Sequence, residues 1–406
     1  METLVSSGLT VVATLIAVPV TIFCVEIIAA VTGTTKPTSV ASGRGRQYRA
    51  AVLIPAHNES TGLQPTLADI KNQLQPGDRL LVVADNCMDD TAVIAATAGA
   101  EVIERHDPTR IGKGYALDFG ISHLSSDPPD VVIIIDADCR LEPDAIDHLA
   151  SACVATRRPV QALYLMTMPA GSHINHQVAE FAWRVKNWLR PLGLNVLGMP
   201  CQLMGTGMAI PWDVVHLGDL ANGWIVEDLK LGLDLAAAGH PPLFCPSARV
   251  TSQFAASATG AKIQRSRWEQ GHIHTILTTV PRLLTRAIVQ RNWALLALTL
   301  DLAVPPLSLL VLLTVGMFVV TLLAALFRLS FVSVTISTVS LLALLLATIM
   351  AWFKCGRDIL PAQRIPLVAK YVFSKLELYR RILVGRVDAR WVRTDRKNSG
   401  NHSAEN

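Results

Sequence analysis

Apolar residues are concentrated near the two ends of the chain and recur in short runs through its middle. Residues 4–31 form one apolar stretch, and residues 305–327 and 330–353 form two more, separated by a turn at Arg328. Each stretch is longer than the roughly 20 residues that a helix needs to cross the hydrocarbon core of a bilayer. The pattern therefore predicts an N-terminal membrane anchor and a C-terminal membrane hairpin.

A cleaved signal peptide is the alternative interpretation of the first stretch. Such a peptide starts with basic residues and has a shorter apolar core. This N-terminus carries Glu2 and no Lys or Arg ahead of its apolar stretch. We therefore expect an uncleaved anchor.

Basic residues follow the first and the last apolar stretch, at Lys36, Arg44, Arg46, Arg49, Lys354, Arg357 and Arg364. Positive charge next to membrane helices is typical of their cytoplasmic ends. We expect a multi-pass protein of the inner, cytoplasmic membrane, in contact with membrane lipids. Its N-terminus would lie outside, with residues 36–290 and the C-terminal tail in the cytoplasm.

Short apolar runs alternate with helical patterns between residues 50 and 250. The runs predict strands over 51–55, 79–84, 101–104 and 131–135, and the segments between them predict helices over 62–74, 90–98 and from 113. Alternating strands and helices are typical of an α/β fold with a parallel sheet covered on both faces. Ligands of such sheets bind beyond the carboxyl ends of the strands.

Polar side chains follow three of these strands, at His57, Asn58, Glu59, Asp85, Asn86, Asp136 and Asp138. Carboxylates gathered at one sheet edge repel one another unless a cation or a donor-rich ligand lies among them. Carboxylates together with substrate phosphates are the usual ligands of Mg²⁺ and Mn²⁺. Asp136 and Asp138 are therefore predicted metal ligands, although two solvated loop aspartates are the alternative.

Other candidate positions precede or begin helices. Lys113 lies in a Gly-Lys-Gly run that opens a helix and could approach an anion. Glu227 and Asp228 fall in the first turn of another predicted helix, where a general base or a simple N-terminal charge would both be favourable.

Two further motifs suit a sugar and a diphosphate. Gly205, Thr206 and Gly207 supply small residues where a sugar could approach the backbone, or else form a tight turn. The run Gln264-Arg265-Ser266-Arg267-Trp268 places cations and an indole within one helical turn. Arginine can neutralise a diphosphate and an indole can stack on a pyranose, whereas an interfacial helix with snorkelling arginines is the alternative.

Residues 262–290 and 366–384 are amphipathic and basic without being apolar enough to cross a membrane. Both are suited to helices that lie on a headgroup surface. For the second stretch, packing against the soluble domain is an equal alternative.

Composition and charge exclude several classes of protein. Hydrophobic residues make up 51% of the 406, and the mean hydropathy is +0.38. A net charge of +4 is too small to indicate nucleic acid. The seven cysteines include no C-x-x-C pair, so we expect reduced thiols.

Taken together, these motifs over about residues 50–290 resemble the membrane-integrated family 2 glycosyltransferases of GT-A fold, which include cellulose and poly-N-acetylglucosamine synthases. The resemblance implies that Asp85, with His57, Asn58 and Glu59, contacts the uridine part of a UDP-sugar. It implies that Asp136 and Asp138 handle the metal diphosphate and that Asp228 is the base. It also implies a diphosphate contact for Arg267 and an acceptor platform for Trp268.

The predicted donor site also includes Pro55, Asn86, Lys113, Gln264 and Arg265. Gly205, Thr206 and Gly207 join Trp268 in the predicted acceptor site, and Glu227 joins Asp228 as a catalytic candidate. We expect an anchor over 1–35, a GT-A domain over 45–260, an interfacial helix over 261–292, a membrane hairpin over 293–353, and an amphipathic segment with a cytoplasmic tail over 354–406.

Val226 replaces the threonine of the family's Thr-Glu-Asp motif, and only two apolar spans follow the catalytic region. Well-known synthases of this family that thread their own polymer through the membrane usually have four or more spans after the catalytic domain. The predicted function is an inverting, metal-dependent transfer from a UDP-sugar to a glycan or lipid-linked acceptor in exopolysaccharide synthesis. A glycolipid synthase that adds one sugar to a membrane lipid is one alternative. A non-catalytic nucleotide-sugar or glycan-binding partner is the other.

Overall fold

The computed structural model describes residues 2–34, 48–168, 174–221, 226–255 and 258–383. The strands are β1 (Ala50–Ala56), β2 (Arg79–Asp85), β3 (Glu101–Arg105), β4 (Val131–Ile134), β5 (Arg140–Leu141), β6 (Val160–Thr167), β7 (Met208–Pro211) and β8 (Leu243–Gln253). They form one sheet in the order β3-β2-β1-β4-β7-β6-β8-β5.

The helices of the first half are α1 (Glu2–Thr32), α2 (Leu63–Lys71), α3 (Thr91–Thr97), α4 (Lys113–Leu124), α5 (Ala145–Thr156), α6 (Ile174–Arg184) and α7 (Arg190–Val196). Those of the second half are α8 (Trp212–Val215), α9 (Glu227–Ala237), α10 (Ala258–Val289), α11 (Trp293–Leu302), α12 (Leu307–Leu326), α13 (Phe331–Cys355), α14 (Ile365–Ser374) and α15 (Leu376–Leu383). A π-helical turn, Val185–Leu189, joins α6 to α7, and a 3₁₀ turn, Ala362–Arg364, precedes α14.

The sheet is mixed, with a parallel half formed by the strands that the sequence predicted. β1 pairs in parallel with both β2 and β4, and β2 pairs in parallel with β3, whereas β7 is antiparallel to β4. β1, β2 and β4 are continuous apolar runs because helices cover both faces of the sheet. One face packs on α2 and α5, and the other on α4 and α9. The predicted α/β class with a mostly parallel sheet is confirmed.

This topology brings several loops to one edge of the sheet. The chain leaves β1, β2 and β4 at their carboxyl ends, where His57, Asp85 and Asp136 stand. Because β7 is antiparallel to β4, the segment that enters β7, residues 205–207, lies at the same edge. The fold thus gathers most of the candidate motifs where ligands of such sheets bind.

Within the part of the chain that the structure describes, three helices are long and apolar enough to cross a membrane: α1, α12 and α13. α1 packs along α13 and also against α7. At Gly193 of α7, an added Cβ would lie 1.9 Å from the carbonyl oxygen of Glu26, so only glycine allows this approach. Arg190, one turn earlier, donates to Glu26 of α1 at 2.5 Å and to Asp301 of α11 at 2.5 Å. Buried charges are tolerated when they are paired in this way.

The structure separates α11 from the apolar hairpin, whereas the predicted hairpin segment began at residue 293. Asn292 caps α11 by accepting from the backbone N–H of Leu295. Pro305 and Pro306 stand between α11 and α12. α11 packs against α9 and α10 and contributes the buried Asp301.

The basic stretch that begins at residue 366 forms α14 and α15, which pack on other helices. Arg364 donates to Gln177 of α6, Lys375 donates to Glu269 of α10, and Tyr379 bonds Ser308 of α12. Leu367 and Phe373 stay exposed. This stretch therefore has features of both predicted alternatives. It packs on other helices of the protein, and it also exposes apolar side chains that suit a headgroup surface. Lys36, Arg44, Arg46 and the tail beyond residue 383 lie outside the described residues.

Candidate active site

A cavity of about 270 Å³ lies at the ligand-binding edge of the sheet and extends towards α7 and α11. Its lining includes nine of the predicted site residues: Lys113, Asp136, Asp138, Gly205, Glu227, Asp228, Gln264, Arg267 and Trp268. It also includes residues that the motifs did not indicate, among them Tyr164, Trp183, Lys186, Asn187, Gln202 and Arg190. Motifs that are about 115 residues apart in the chain, from Lys113 to Asp228, therefore meet around one space.

Asp136 and Lys113 form an ion pair at the end of β4. The Lys113 ammonium contacts the Asp136 carboxylate and also donates to the carbonyl of Gly205 at 2.6 Å. Burial lowers the pKa of Lys113, but the carboxylates of Asp136, Glu227 and Asp228 outweigh it and hold the pKa above its ordinary value. Lys113 therefore stays charged, and the carboxylates at the start of α9 act on it electrostatically.

Asp136, Asp138 and Cys139 place potential ligand atoms within 4.8 Å of one another. Burial raises the pKa of the Cys139 thiol to about 12, so the thiol stays protonated at neutral pH. A hard cation such as Mg²⁺ prefers oxygen ligands in any case. Of the three groups, the two carboxylates fit a divalent cation and the thiol does not.

Glu227 and Asp228 begin α9 and face the same cavity. Burial raises the pKa of both carboxyl groups, and Lys113 opposes that shift. Val226, at the helix N-cap, offers no side-chain cap, so these carboxylates are the negative groups nearest to the positive end of the helix dipole. A carboxylate with a raised pKa in a cavity is a candidate proton acceptor.

Gly205 has a left-handed backbone with φ of 88°, which favours glycine. A Cβ at this position would stand 3.5 Å from Oδ2 of Asp228 and 3.7 Å from Nζ of Lys113, so glycine keeps this part of the cavity open. Thr206 and Gly207 are not in the lining of the cavity. The Thr206 hydroxyl is fully buried and accepts from the backbone N–H of Asp136 at 3.0 Å, which positions the end of β4.

The motif on α10 is divided between the cavity and its surroundings. Gln264, Arg267 and Trp268 line the cavity, and burial lowers the pKa of Arg267. Arg265 is not in the lining, and it donates to the carbonyl of Asn175 at 2.9 Å. Since 264, 267 and 268 are spaced by three and four residues, they share one helix face, whereas 265 points elsewhere.

The Trp268 ring belongs to an aromatic group that the motifs did not reveal. Its centroid lies 5.0 Å from that of Trp183, and Trp183 meets Tyr164 edge to face at 5.4 Å. The Trp183 indole N–H donates to the carbonyl of Tyr164 at 3.2 Å. These contacts lock the indole of Trp183 as a rigid wall of the cavity.

The groups at the ends of β1 and β2 are not in the lining of this cavity. Asp85 is 6% exposed and accepts from Arg105 at 2.6 Å. Arg105 also donates to the carbonyl of Arg110, next to the cavity residues Ile111 and Gly112. The sequence offered one signal for Arg105, which directly follows the strand predicted over 101–104, but it did not show that this strand pairs with β2.

Hydrogen bonds tie the loops after β1 and β2 together. His57 Nδ1 lies 2.7 Å from the carbonyl of Asp85, and Asn58 accepts from the N–H of Met88 at 2.7 Å. Asn58 and Asn86 have positive φ of 53° and 51°, a conformation that asparagine tolerates better than most residues. Pro55, in β1, and Glu59, whose N–H donates to Thr91, complete this group.

Comparison with known proteins places the chain in a family. The model of the family described as "Glycosyltransferase like family 2" matches residues 48–271, more than half of the chain. A probable glycosyltransferase, YdaM, of Bacillus subtilis (strain 168) is 28% identical over 251 residues. That match covers 56% of this chain and 56% of the Bacillus protein. An uncharacterized glycosyltransferase of Mycobacterium tuberculosis is 35% identical over 197 residues, which are 42% of this chain and 84% of the relative.

Solved structures give more distant matches. A mannosyltransferase from Pyrobaculum calidifontis, in complex with GDP-Man and Mn²⁺, is 16% identical with a TM-score of 0.48. The match covers 86% of this chain and 99% of that one. Glucosyl-3-phosphoglycerate synthase from Mycobacterium tuberculosis, with Mn²⁺, UDP and phosphoglyceric acid, is 22% identical with a TM-score of 0.34. That match covers 49% of this chain and 68% of the synthase.

Proposed function

This chain belongs to the family 2 glycosyltransferases, and we propose that it moves a sugar from a UDP-sugar to a glycan or lipid-linked acceptor. The transfer would take place at the cytoplasmic face of a membrane, in exopolysaccharide synthesis, with inversion at the anomeric carbon. One observation carries the proposal: Asp136 and Asp138 face the same cavity as Glu227 and Asp228, with Lys113 acting electrostatically on both groups. A binding module needs no such second pair of carboxylates.

The Asp228 carboxylate is the proposed general base. It accepts the proton of an acceptor hydroxyl while the hydroxyl oxygen forms a bond to the anomeric carbon, and the bond from that carbon to the diphosphate oxygen breaks. Burial supports this role because it raises the pKa of Asp228 towards the range in which a carboxylate accepts protons efficiently. Glu227 precedes it in the same helical turn, and burial raises the pKa of this carboxyl group as well.

Asp136 and Asp138 would hold a Mg²⁺ or Mn²⁺ ion, which would neutralise charge on the departing diphosphate. Lys113 and Arg267 supply two fixed positive charges in the same lining. Because Lys113 is held by Asp136 and by the Gly205 carbonyl, its charge is already positioned before the donor binds. Such preorganised charges stabilise a leaving group without further reorganisation.

The proposed membrane location is supported by the way the cavity is built. α7 lines the cavity with Arg190, Pro191 and Leu194 and packs on the apolar helix α1. Basic Lys354 and Arg357 follow at the end of α13, where positive charge favours a cytoplasmic position. Both features are consistent with an acceptor that is handled next to the inner leaflet.

The test uses the full chain, purified in detergent, with UDP release measured against several UDP-sugars and membrane extracts as acceptor source. Asp228→Asn should abolish transfer while UDP binding persists, because the amide cannot accept the proton. Asp234→Asn is the matched control, since Asp234 is on the same helix, pairs with Lys230 at 2.6 Å and is outside the cavity. Transfer by Asp228→Asn at the wild-type rate would contradict the assignment.

Mass spectrometry of the products distinguishes the alternatives. A ladder of sugar additions supports polysaccharide assembly, whereas a single increment on a lipid would support a glycolipid synthase. UDP-sugar binding without UDP release under any of these conditions would support a non-catalytic role.

A further inference from the structure

The last turns of the apolar helix α1 pack against α7, which forms part of the cavity wall. An added Cβ at Gly193 of α7 would lie 1.9 Å from the carbonyl oxygen of Glu26 in α1. An added Cβ at Gly33, just after α1, would lie 2.3 Å from Cγ1 of Val196, the last residue of α7. Other residues of α7 line the cavity. α7 therefore contacts both α1 and the cavity.

The side chain of Arg190 joins α7 to two other helices. Its Nε donates to Oε2 of Glu26 in α1 at 2.5 Å, and its Nη2 donates to Oδ1 and to the backbone carbonyl of Asp301 in α11, at 2.5 and 2.8 Å. All three side chains belong to buried residues. Arg190 and Asp301 are in the lining of the cavity, whereas Glu26 is not. Glu26 therefore acts on the cavity only through its neighbours.

The end of α11 contacts the two helices that carry Asp228 and Trp268. α11 packs on α9, and Leu229 of α9 belongs to the same apolar cluster as Leu302 of α11. His272 of α10, one turn after Trp268, donates from Nε2 to the carbonyl of Leu302 at 3.1 Å. Leu302 directly follows the aspartate that Arg190 binds. The end of α11 thus connects the ion cluster to both helices.

A buried carboxylate is costly in a helix that only crosses a bilayer, and such residues mark functional positions by default. Apart from Glu2 at its start, Glu26 is the one charged residue of α1. Replacing a buried ion cluster by apolar residues is often neutral or stabilising, so stability alone does not account for this one. Charged contacts add direction to apolar packing, because a planar guanidinium binds carboxylates in a fixed geometry. The cluster is therefore suited to fixing how α7 and α11 are placed against α1.

We propose that Glu26 is a positioning residue of the active site, and that α1, besides being the proposed membrane anchor, is a structural part of this site. Through Arg190 and Asp301, Glu26 fixes the end of α11. The end of α11 in turn places the helices that carry the proposed base and the indole of the α10 motif. This inference rests on the proposed function, because it names a residue that sets the geometry of that same site.

The proposed metal ligands are held by contacts that do not involve α1. Lys113 contacts Asp136 and donates to the carbonyl of Gly205 at 2.6 Å, all at the edge of the sheet. Loss of the Glu26 carboxylate should therefore displace the base more than the donor. A misplacement of about 1 Å at a reacting group costs about a hundredfold in rate. The expected signature is a fall in kcat with little change in the KM for the donor.

The test measures UDP release by the full chain in detergent over a range of UDP-sugar concentrations. Glu26→Gln keeps the size of the side chain and removes its charge, while Arg190 and Asp301 remain a balanced pair. We expect kcat to fall about tenfold, as a displacement below 1 Å would cause, and the donor KM to stay within about threefold of wild type. UDP-binding sites per chain, counted by titration calorimetry, should not change. Thr21→Val is the matched control, because the Thr21 hydroxyl of α1 bonds the carbonyl of Ala17 in the same helix.

A second variant moves the same wall without changing any charge. In Gly193→Ala, the new methyl group meets the carbonyl oxygen of Glu26 and pushes α7 away from α1. We expect the same fall in kcat as in Glu26→Gln. Gly316→Ala is its control, because Gly316 is in the apolar helix α12 and an added Cβ there meets nothing within 4 Å. Where Gly193→Ala does not fold, Glu26→Gln alone decides.

Hydrogen exchange followed by mass spectrometry separates this inference from the proposed function, because it needs no turnover. In Glu26→Gln, the amides of α7 and α11 should exchange at least about threefold faster, while those of β1 and β4 keep their wild-type rates. This result supports the inference even when the wild type releases no UDP, in which case the proposed function alone fails. Unchanged exchange in α7 and α11 would overturn the inference, as would faster exchange throughout the sheet. In an active preparation, a wild-type kcat would also overturn it, and so would a loss of kcat that matches a loss of UDP-binding sites.

Discussion

Asp85 and Asp136 stand at the carboxyl ends of β2 and β4, which flank β1 in the parallel half of the sheet, and each follows a run of buried apolar residues. Asp85 is paired with Arg105, and the two side chains are only 8% and 9% exposed. Asp136 is paired with Lys113, but its side chain is 31% exposed and lines the cavity. The same local pattern thus gives two different ion pairs. Asp85–Arg105 at β2 is buried and is called the closed pair, whereas Asp136–Lys113 at β4 is accessible from the cavity and is called the open pair. The difference lies in the partner and its position, since Arg105 comes from the neighbouring strand β3 and Lys113 from the first turn of α4.

The largest expected effect is on stability and tests the closed pair. Arg105→Met should leave the Asp85 carboxylate buried without its cation, which typically costs about 3–5 kcal/mol. Thermal unfolding of the purified protein should show a clear fall in Tm. Arg140→Met is the control, because Arg140 also pairs with an aspartate, Asp69, but is itself largely exposed. Equal Tm values for the two variants would show that the buried pair and the exposed pair contribute equally to stability.

Asp136→Asn tests the open pair and should act on activity instead. Loss of one proposed metal ligand should lower kcat/KM about a hundredfold or more, equivalent to roughly 3 kcal/mol. The Tm should change little because the side chain is partly exposed. A variant that loses Tm in proportion to its activity would indicate that Asp136 acts through the stability of the fold instead of through a metal.

Asp85→Asn should have a smaller effect than Arg105→Met. The amide oxygen can still accept from Arg105, and Arg105 keeps the Arg110 carbonyl as a partner at 2.9 Å. We expect a loss of about 1–3 kcal/mol, the range for a weakened hydrogen bond to a buried charge. Urea unfolding of wild type and variant would measure it. A loss as large as that of Arg105→Met would contradict this ranking.

The smallest expected effect concerns the pH dependence of activity and tests Lys113, the cation of the open pair. A base must be ionised to accept a proton, so activity should fall as the pH drops through the raised pKa of the Glu227–Asp228 group. Lys113 opposes that rise. Lys113→Met should therefore move the acidic limb of the pH–rate profile to higher pH, by about one unit. Lys71→Met, which removes an exposed lysine far from the cavity, should leave the limb in place.

The parallel half of the sheet and the three apolar helices follow from local patterns and were predictable. Continuous apolar runs at β1, β2 and β4 reflect burial on both faces, and the apolar runs of α1, α12 and α13 are long enough to cross a bilayer. Nine of the predicted site residues line the cavity, and five of these follow a strand or open a helix at one edge of the sheet: Lys113, Asp136, Asp138, Glu227 and Asp228. Their assigned roles stay predictions.

The wall of the cavity that α6, the π-helical turn and α7 form could not be predicted from motifs. Trp183, Lys186 and Asn187 read as ordinary residues of an amphipathic helix, and the π-helical turn that turns two of them to the cavity leaves no signature in this sequence. The buried Glu26–Arg190–Asp301 cluster unites residues 26, 190 and 301. No short-range pattern connects positions at such separations.

By itself, the sequence determined the α/β class, the sheet edge at which acidic residues gather, and the apolar helices at either end. These features depend on neighbours a few residues apart, which periodicity and strand-end position record. Only the tertiary structure decided which acidic group is closed by Arg105 and which stays open beside Lys113, and which helix face completes the cavity. Those outcomes depend on side chains far apart in the chain, whose distances are set by the packing of whole elements.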